Sequence, residues 1–96
     1  MKNDAHHYEL ASTGSFKRDL KTIIRRGYDI GLLNDTVDML LEGKLLPGKY
    51  KDHSLIGKWV GYRECHIAFD WLLVYKIDHN TLILTVTRTG THSDIF

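Results

Sequence analysis

The segment RECHIAFDWLLVYKIDHNTLILTVT, residues 63–87, decides the fold because apolar or alternating runs are separated by turn residues. RECHIAF alternates, which places Cys65 and Ile67 on one face of a strand. Glu64 and His66 fall on the opposite face. LLVYKI is apolar on both faces, as a central strand is, and TLILTVT follows the turn sequence DHN. The C-terminal half is therefore predicted to be an antiparallel meander.

Two amphipathic segments precede the meander and predict a helical hairpin. The first ends at Gly27 and has apolar residues at helical spacing: Phe16, Leu20, Ile23 and Ile24. The second starts at Asp29, a good N-cap, and ends at Gly43; its apolar stripe is Ile30, Leu33, Val37, Leu40 and Leu41. YELAS, residues 8–12, predicts a strand. Helices gathered before a run of strands predict an α+β domain in which the hairpin covers one face of the sheet.

Between the helices and the meander, residues 44–61 show no periodicity. Pro47, Gly48, Gly57 and Gly61 favour a long loop without secondary structure of its own. A connection of this length is uncommon in a compact domain and is often functional.

The composition restricts the class of protein. The 96 residues, of which 43% are hydrophobic, predict a single domain over residues 1–96 with one core. The single cysteine, Cys65, cannot form an internal disulfide, as is typical of intracellular domains. The N-terminus has no apolar signal-like stretch, and the longest apolar run, WLLVY, is too short to cross a bilayer. The sequence therefore predicts a cytoplasmic protein without a membrane partner.

The net charge of +1 is unevenly distributed. KRDLKTIIRR, residues 17–26, contains five basic residues and one acidic residue. Such a run is typical of an exposed helix face, and contact with a polyanion is the alternative.

Polar and aromatic side chains at the open face or rim of the predicted sheet form a candidate site if they converge. They come from the long loop, the strands, one turn and the C-terminus: His53, His66, Asp70, Trp71, Arg88, His92 and Phe96. Each has a structural alternative, such as a turn cap at Asp70, a core position for Trp71 or an apolar plug at Phe96. Cys65 shares a face with Ile67 and is predicted to be a buried thiol rather than a nucleophile.

Other kinds of site have little support in the sequence. His53, His66 and His92 are candidates for a metal site, yet no i, i+4 or C-x-x-C spacing of a zinc site is present. P-loop and G-x-S-x-G motifs are also absent from the sequence. We therefore expect neither a metal nor another cofactor. The remaining histidines are predicted to be exposed bystanders: His6, His7 and His79.

Four motifs in a fixed order form a joint signature: D-H-x-L-x-G-x-W, R-[ED]-x-H, D-W-x-L-x-Y and a terminal G-T-H-x-x-[LI]-F. They lie in YKDHSLIGKWVGYRECHIAFDWLLVYKI, residues 50–77, and TRTGTHSDIF, residues 87–96. This signature resembles the YafQ branch of the RelE/ParE toxin superfamily, densely from Tyr50 onward and more loosely over the helical hairpin. One departure is Phe69, where relatives often carry proline before the Asp-Trp pair.

The resemblance implies a small twisted, mainly antiparallel sheet and a toxin of a bacterial toxin–antitoxin pair that cleaves messenger RNA in the ribosomal A site. The family's active-site positions fall on the candidate residues named above. RNA carries its own nucleophile, the 2′-hydroxyl, and imidazoles suit the two proton transfers that its attack requires. We expect His92 to be the general acid, with Asp70 or His66 as the base. His53 is expected to position groups or transfer a second proton, and Arg88 to stabilise the phosphorane charge.

Further residues are expected to hold the RNA. Trp71 and Phe96 are expected to stack on bases. Three cationic side chains are expected to bind the phosphates that flank the cut: Lys51, Lys58 and Arg63.

The expected partners are an antitoxin with a segment that folds on binding, and the ribosome with its A-site messenger RNA. Operator DNA is expected to be contacted only through the antitoxin complex. Two alternatives stay open at this stage. One is a ParE-like protein that acts on DNA gyrase, and the other is a catalytically weak toxin that serves mainly as a partner of the antitoxin and its operator.

Overall fold

A computed structural model of the chain describes residues 7–96, so His6 lies outside the described residues. In chain order the elements are β1 (Glu9–Ser12), α1 (Gly14–Arg26), α2 (Ile30–Leu41), β2 (His53–Ser54), β3 (Arg63–Ala68), β4 (Trp71–Asp78), β5 (Ile83–Gly90) and α3 (His92–Ile95). The N-terminal strand, both helices and the three meander strands that the sequence predicts are all present. Within residues 7–96, no helix is both long enough and apolar enough to cross a membrane.

The strands form one five-stranded sheet in the order β1-β5-β4-β3-β2. Strands β2 to β5 pair antiparallel with their neighbours, whereas β1 pairs parallel with β5 at the sheet edge. The sheet is therefore mainly antiparallel, and the predicted α+β class is confirmed.

The predicted end of the first helix at Gly27 and the predicted N-cap of the second helix at Asp29 are confirmed. Thr13 caps α1 by accepting a hydrogen bond from the backbone N–H of Phe16. Gly27 ends α1 with φ of +81°, a left-handed conformation that suits glycine. Asp29 caps α2 by accepting from the backbone N–H of Gly31 at 3.0 Å. Because these caps lie close together in sequence, α1 and α2 form the predicted hairpin.

The hairpin and one face of the sheet together bury a single core. The helices contribute Phe16, Ile23, Leu33, Val37, Leu40 and Leu41, and the sheet contributes Cys65, Ile67, Trp71, Leu73, Tyr75, Leu84 and Val86. Each large apolar side chain in this core stabilises the fold by roughly 1.5–3 kcal/mol relative to full exposure. The prediction that Ile24 shares the buried stripe is wrong: Ile24 is exposed, because it directly follows Ile23 and points about 100° away around the helix.

The second face of the sheet, which we expected to meet solvent or a ligand, is buried at its centre and accessible toward its rim. Leu72 and Val74 alternate with core residues on β4, so they point to this second face, and both are fully buried. Glu64 lies beside Val74 in the β3–β4 register and is also buried. His66 and Arg88 keep part of their side chains accessible on this face.

The connection between α2 and β3 is folded, and the prediction of a loop without structure of its own is wrong. It contains two 3-10 turns, Gly48–Tyr50 and Gly57–Trp59, and the short strand β2. Strand β2 pairs with β3 in a register that puts His53 beside Glu64. This long connection is therefore attached to the sheet edge, close to His66.

A polar cluster explains why the connection is ordered. Arg63 donates hydrogen bonds to Ser54 Oγ at 2.8 Å and to Asp52 Oδ2 at 3.0 Å. The hydroxyl of Tyr75 donates to the other carboxylate oxygen of Asp52. Burial, followed by the neighbouring Asp52, raises the pKa of Tyr75, so its hydroxyl keeps its proton and remains a donor. Sequence periodicity does not reveal this cluster because its members are polar and far apart in the chain.

A buried hydrogen-bond chain at the end of β5 generates a stability prediction. Trp71 Nε1 donates to Thr89 Oγ1 at 2.9 Å, and Thr89 Oγ1 donates to the carbonyl of Leu72 at 2.7 Å. Thr89→Val keeps the shape but leaves the buried indole N–H without a partner, so we expect the free energy of unfolding to fall by about 1–3 kcal/mol. Urea denaturation measures this change.

Trp71→Phe provides the control, because phenylalanine has no N–H to leave unsatisfied. In the Trp71→Phe background, Thr89→Val should cost less than it does in the wild type. An equal cost in both backgrounds would show that the indole–hydroxyl bond contributes nothing to stability.

Candidate active site

A tight turn between β3 and β4 brings Asp70 to one end of the sheet. The β3–β4 register shifts between His66 and Ala68, and Ala68 then pairs with Trp71. Asp70 has φ of +51°, a left-handed conformation that aspartate tolerates better than most residues. The short chain between β3 and β4 therefore consists of Phe69 and Asp70, and the carboxylate of Asp70 faces the C-terminal segment.

The C-terminal segment is held in place by a capped helical turn. Thr91 and Asp94 form a capping box, in which each side chain accepts a hydrogen bond from the backbone N–H of the other residue. Arg26, at the end of α1, donates to both carboxylate oxygens of Asp94 at 2.7 and 3.1 Å. This bidentate pair lowers the pKa of Asp94 well below its usual range. The helical turn α3 is thus tied to α1 by a charged contact.

The same turn positions His92 against Asp70. Asp70 Oδ1 accepts hydrogen bonds from the backbone N–H of His92 at 3.1 Å and from its Nδ1 at 3.0 Å. These two bonds, the backbone one first, lower the pKa of Asp70, which keeps the carboxylate ionised. An ionised carboxylate only accepts, so Nδ1 of His92 carries a proton and Nε2 is the nitrogen left for a substrate.

His66, Asp70 and His92 line one cleft of about 490 Å³ together with Lys49 and Lys51. The ring centroids of His66 and His92 are 6.1 Å apart, so both imidazoles lie in the same part of the cleft. Lys51, predicted to bind phosphate, is exposed at this cleft, and Lys49 is a second cation there that sequence reasoning did not single out.

His53 is linked to this cleft through a carboxylate that sequence reasoning did not assign to the site. Glu64 is only 5% exposed, and its Oε2 lies 3.6 Å from Nε2 of His53 and 3.6 Å from Nε2 of His66. Nδ1 of His53 donates to the carbonyl of Lys51 at 2.7 Å, which fixes the ring. The available sequence signal was the motif R-[ED]-x-H, in which Glu64 precedes His66 by two residues on one face of the strand.

Arg88, expected to stabilise the phosphorane charge, is held by an internal ion pair. Its Nε and Nη2 donate to the two carboxylate oxygens of Asp19 at 2.6 and 3.1 Å. Nη2 also donates to the carbonyl of Asp94 at 3.2 Å, and Asp19 raises the pKa of Arg88. Asp19 also accepts from the backbone N–H of Thr89 at 3.1 Å. Arg88 therefore joins α1, β5 and α3, and Asp19 is a residue that sequence reasoning missed.

Trp71 is a core residue, which corrects the prediction that it stacks on a base. Its side chain is 3% exposed, and its ring packs edge-on against Tyr28 with centroids 4.9 Å apart. The reason is its position as the first residue of β4 on the face that the helices cover.

Of the other residues predicted to contact RNA, Phe96 and Lys58 are exposed near the cleft, whereas Arg63 is bound within the protein. Phe96 is exposed, and its ring centroid lies 6.3 Å from that of His92 and 5.8 Å from that of Trp59. Lys58 lines a surface hollow with Trp59 and Phe96, so it lies beside the predicted stacking group. Arg63 differs, because its guanidinium is bound to Asp52 and Ser54 in the cluster that orders the connection. Its side chain is still 39% exposed, and its assignment as a phosphate contact stays a prediction.

The structure also shows the environment of Cys65 and whether possible metal ligands lie together. Cys65 is fully buried in the core, so the prediction of a buried thiol is confirmed, and burial raises its pKa to about 12. Over residues 7–96, no three histidine, cysteine, aspartate or glutamate side chains are grouped as metal ligands. His7 and His79 are exposed, as expected.

Taken together, the fold and the cleft define a small RelE-like α+β protein with an imidazole–carboxylate site. A family model described as a bacterial toxin of type II toxin-antitoxin system, YafQ, matches residues 8–96. The chain belongs to this YafQ toxin family, which confirms the resemblance seen in the sequence.

The similar proteins cover nearly the whole chain. The mRNA interferase toxin YafQ of Escherichia coli strain K12 is 37% identical over 89 residues, which cover 92% of this chain and 95% of that protein. A chain in the crystal structure of the E. coli DinJ–YafQ toxin–antitoxin complex is 35% identical, with a TM-score of 0.85 over 94% of this chain and 98% of that chain. A metal-bound toxin from Helicobacter pylori is 38% identical, with a TM-score of 0.87 over 93% of this chain and 99% of that chain.

The contact between Arg26 and Asp94 generates a pH prediction. The pKa of Asp94 is lower in the folded protein than its ordinary value of 3.8, so the folded state binds this proton less readily than the unfolded chain does. The stability that the carboxylate contributes is therefore complete above the ordinary pKa and is lost as the pH falls below it. We expect Asp94→Asn to lower the free energy of unfolding at about pH 6 and to matter much less at about pH 2.5.

Urea denaturation at both pH values measures this difference. Asp35→Asn is the matched control, because Asp35 is an exposed residue of α2 whose carboxylate makes no hydrogen bond within residues 7–96. The account of the C-terminal anchor is contradicted if Asp94→Asn costs the same amount at both pH values.

Proposed function

We propose that this chain is the toxin of a type II toxin–antitoxin pair and that it is an endoribonuclease that cleaves messenger RNA in the ribosomal A site. The single observation that carries the proposal is the pair of imidazoles, His66 and His92, which line one open cleft with Asp70 holding His92 in place. The E. coli relative is named an mRNA interferase toxin, which supports messenger RNA as the substrate.

The reaction is a transfer of the phosphoryl group within the RNA. The 2′-hydroxyl loses its proton to a base and attacks the adjacent phosphorus, and the bond from phosphorus to the 5′-oxygen breaks. The general acid protonates that leaving oxygen. The products are a 2′,3′-cyclic phosphate and a 5′-hydroxyl. Two imidazoles of opposite protonation state suit these two steps near neutral pH.

His92 is the proposed general acid and His66 the proposed base. Asp70 accepts a hydrogen bond from Nδ1 of His92, so the ring has a fixed orientation and presents Nε2 to the leaving 5′-oxygen. Asp70 is a poor candidate for the base, because its pKa is lowered and its Oδ1 already accepts two hydrogen bonds from His92. His53 is proposed to act through Glu64, which contacts both His53 and His66 at 3.6 Å.

The charge on the phosphorane is assigned to cations around the cleft. Lys49 and Lys51 line the cleft and are proposed to contact phosphates of the strand. Arg88 is proposed to act mainly by positioning α3, because Asp19 and the carbonyl of Asp94 occupy its Nε and Nη2. Its Nη1 makes no hydrogen bond within residues 7–96, and it is the one atom of this side chain that we assign to the phosphorane oxygens.

We propose that the reaction needs no metal ion, since the 2′-hydroxyl supplies the nucleophile and the imidazoles supply both proton transfers.

The proposed partners are an antitoxin, by analogy with the DinJ–YafQ complex, and the ribosome. Lys17, Lys21 and Arg25 are exposed along α1 and form a basic face suited to ribosomal RNA. We propose that operator DNA is contacted only through the antitoxin complex. Because the proposed substrate is messenger RNA on the ribosome, the proposed location is the cytoplasm.

The role of His92 gives the test of the proposed function. We expect His92→Gln to slow cleavage of the messenger on programmed ribosomes by roughly 10²–10⁴-fold, the usual contribution of general acid–base catalysis. Primer extension on the messenger over a time course measures the rate. The variant should keep the fold, because His92 is exposed and the backbone N–H that bonds to Asp70 remains.

His79→Gln is the matched control, because it changes an exposed histidine in the turn between β4 and β5. It should cleave at the wild-type rate. A His92→Gln rate within about threefold of wild type would remove His92 from the proposed catalytic steps. Wild-type protein that leaves messenger intact but blocks DNA supercoiling in an extract would favour the gyrase-directed alternative.

A further inference from the structure

Phe69 is the most exposed large apolar side chain of residues 7–96. It is 99% accessible, at the tip of the turn between β3 and β4. The preceding residue, Ala68, pairs with Trp71 in the sheet, and the following residue, Asp70, accepts a hydrogen bond from His92. The ring of Phe69 therefore projects into solvent from an ordered turn. An apolar ring in water contributes nothing to folding, and an exposed aromatic beside a cleft is a feature of binding surfaces.

The ring lies at the cleft that holds the imidazoles. Phe69 lines the same cleft of about 490 Å³ as His66 and His92. Lys49 and Lys51 line it too, so cations and an aromatic face occur together. Cations that bind phosphate and a flat ring that binds a base are the combination by which proteins hold single-stranded nucleic acid.

The turn that carries Phe69 is fixed on both sides. Ala68 pairs with Trp71 across the turn, and Asp70 Oδ1 accepts two hydrogen bonds from His92. The position of the Phe69 backbone is thereby coupled to the proposed general acid. A ring on a fixed turn loses little conformational freedom when a ligand stacks on it, which favours binding.

We propose that Phe69 stacks on a nucleobase of the RNA strand next to the scissile phosphate and thereby contributes to substrate binding. This inference rests on the proposed function and adds a residue to its substrate-binding set. Trp71, the aromatic first expected in this role, is buried and cannot supply the stacking face.

Three substitutions at this position separate stacking from apolar bulk. Phe69→Ala removes the ring, Phe69→Leu keeps an apolar side chain without a flat face, and Phe69→Trp keeps a flat face. Steady-state cleavage on programmed ribosomes gives KM and kcat for each variant. We expect Phe69→Ala and Phe69→Leu to raise KM about 5- to 150-fold, the range for one lost base–aromatic stack, with kcat nearly unchanged. Phe69→Trp should stay within about threefold of wild type.

Leu45→Ala is the matched control, because Leu45 is 95% exposed and does not line the cleft. It should leave KM and kcat unchanged. The melting temperature of every variant should equal that of wild type, since the side chain of Phe69 makes no buried contact. A KM for Phe69→Ala within twofold of wild type, or a Phe69→Leu variant equal to Phe69→Trp, overturns the stack while the proposed function stands.

A binding measurement tests the stack without cleavage. The messenger carries a 2′-deoxy sugar at the cut position, and 2-aminopurine replaces one base at a time beside it. Wild-type protein should quench the fluorescence at one of these positions on the programmed ribosome, and Phe69→Ala should abolish that quenching. Equal quenching by wild type and Phe69→Ala overturns the stack alone. Wild-type protein that neither binds nor cuts any messenger overturns the proposed function, and the stack with it.

Discussion

The contact between Arg26 and Asp94 is the interaction on which the site depends. The last residues of a chain usually fray unless something ties them down. Here a bidentate ion pair and a capping box fix one helical turn, and that turn places both the backbone N–H and Nδ1 of His92 against Asp70. Without that anchor, the helical turn that carries the proposed general acid would lose its charged tie to α1.

Three of the bases and cations around the cleft have an acidic partner that comes from a different element: Arg88, His92 and His53. Asp19 of α1 holds Arg88 of β5, and Asp70 holds His92 of α3. Buried Glu64 lies between His53 and His66. These pairs fix the rings and guanidinium groups before a substrate arrives, which is the preorganisation that catalysis by proton transfer requires.

Much of the fold follows from local patterns, whereas the connections within the site do not. The alternation of apolar and polar residues predicts β3 and its core-facing Cys65. Apolar residues at helical spacing, with Gly27 and Asp29 as end and start signals, predict the two helices. These features depend only on residues that are close in sequence. Trp71 and Arg88 lie in motifs of the family signature, which predict contact with RNA. In the structure, Trp71 donates a hydrogen bond to Thr89, and Arg88 forms an ion pair with Asp19. Such partners are distant in sequence, so no spacing rule reveals them. The exposure of Phe69 at the cleft becomes evident only in the folded chain.

The chemical identity of the cut ends tests the central claim most directly. Purified protein is incubated with a programmed ribosome and, separately, with naked messenger, and the ends of both fragments are determined. Attack by the 2′-hydroxyl predicts a 2′,3′-cyclic phosphate, or the 3′-phosphate formed by its hydrolysis, on the upstream fragment and a 5′-hydroxyl on the downstream fragment. A 3′-hydroxyl with a 5′-phosphate would mean that water attacks the phosphorus from the other side, and it would contradict the assignment of the imidazole pair.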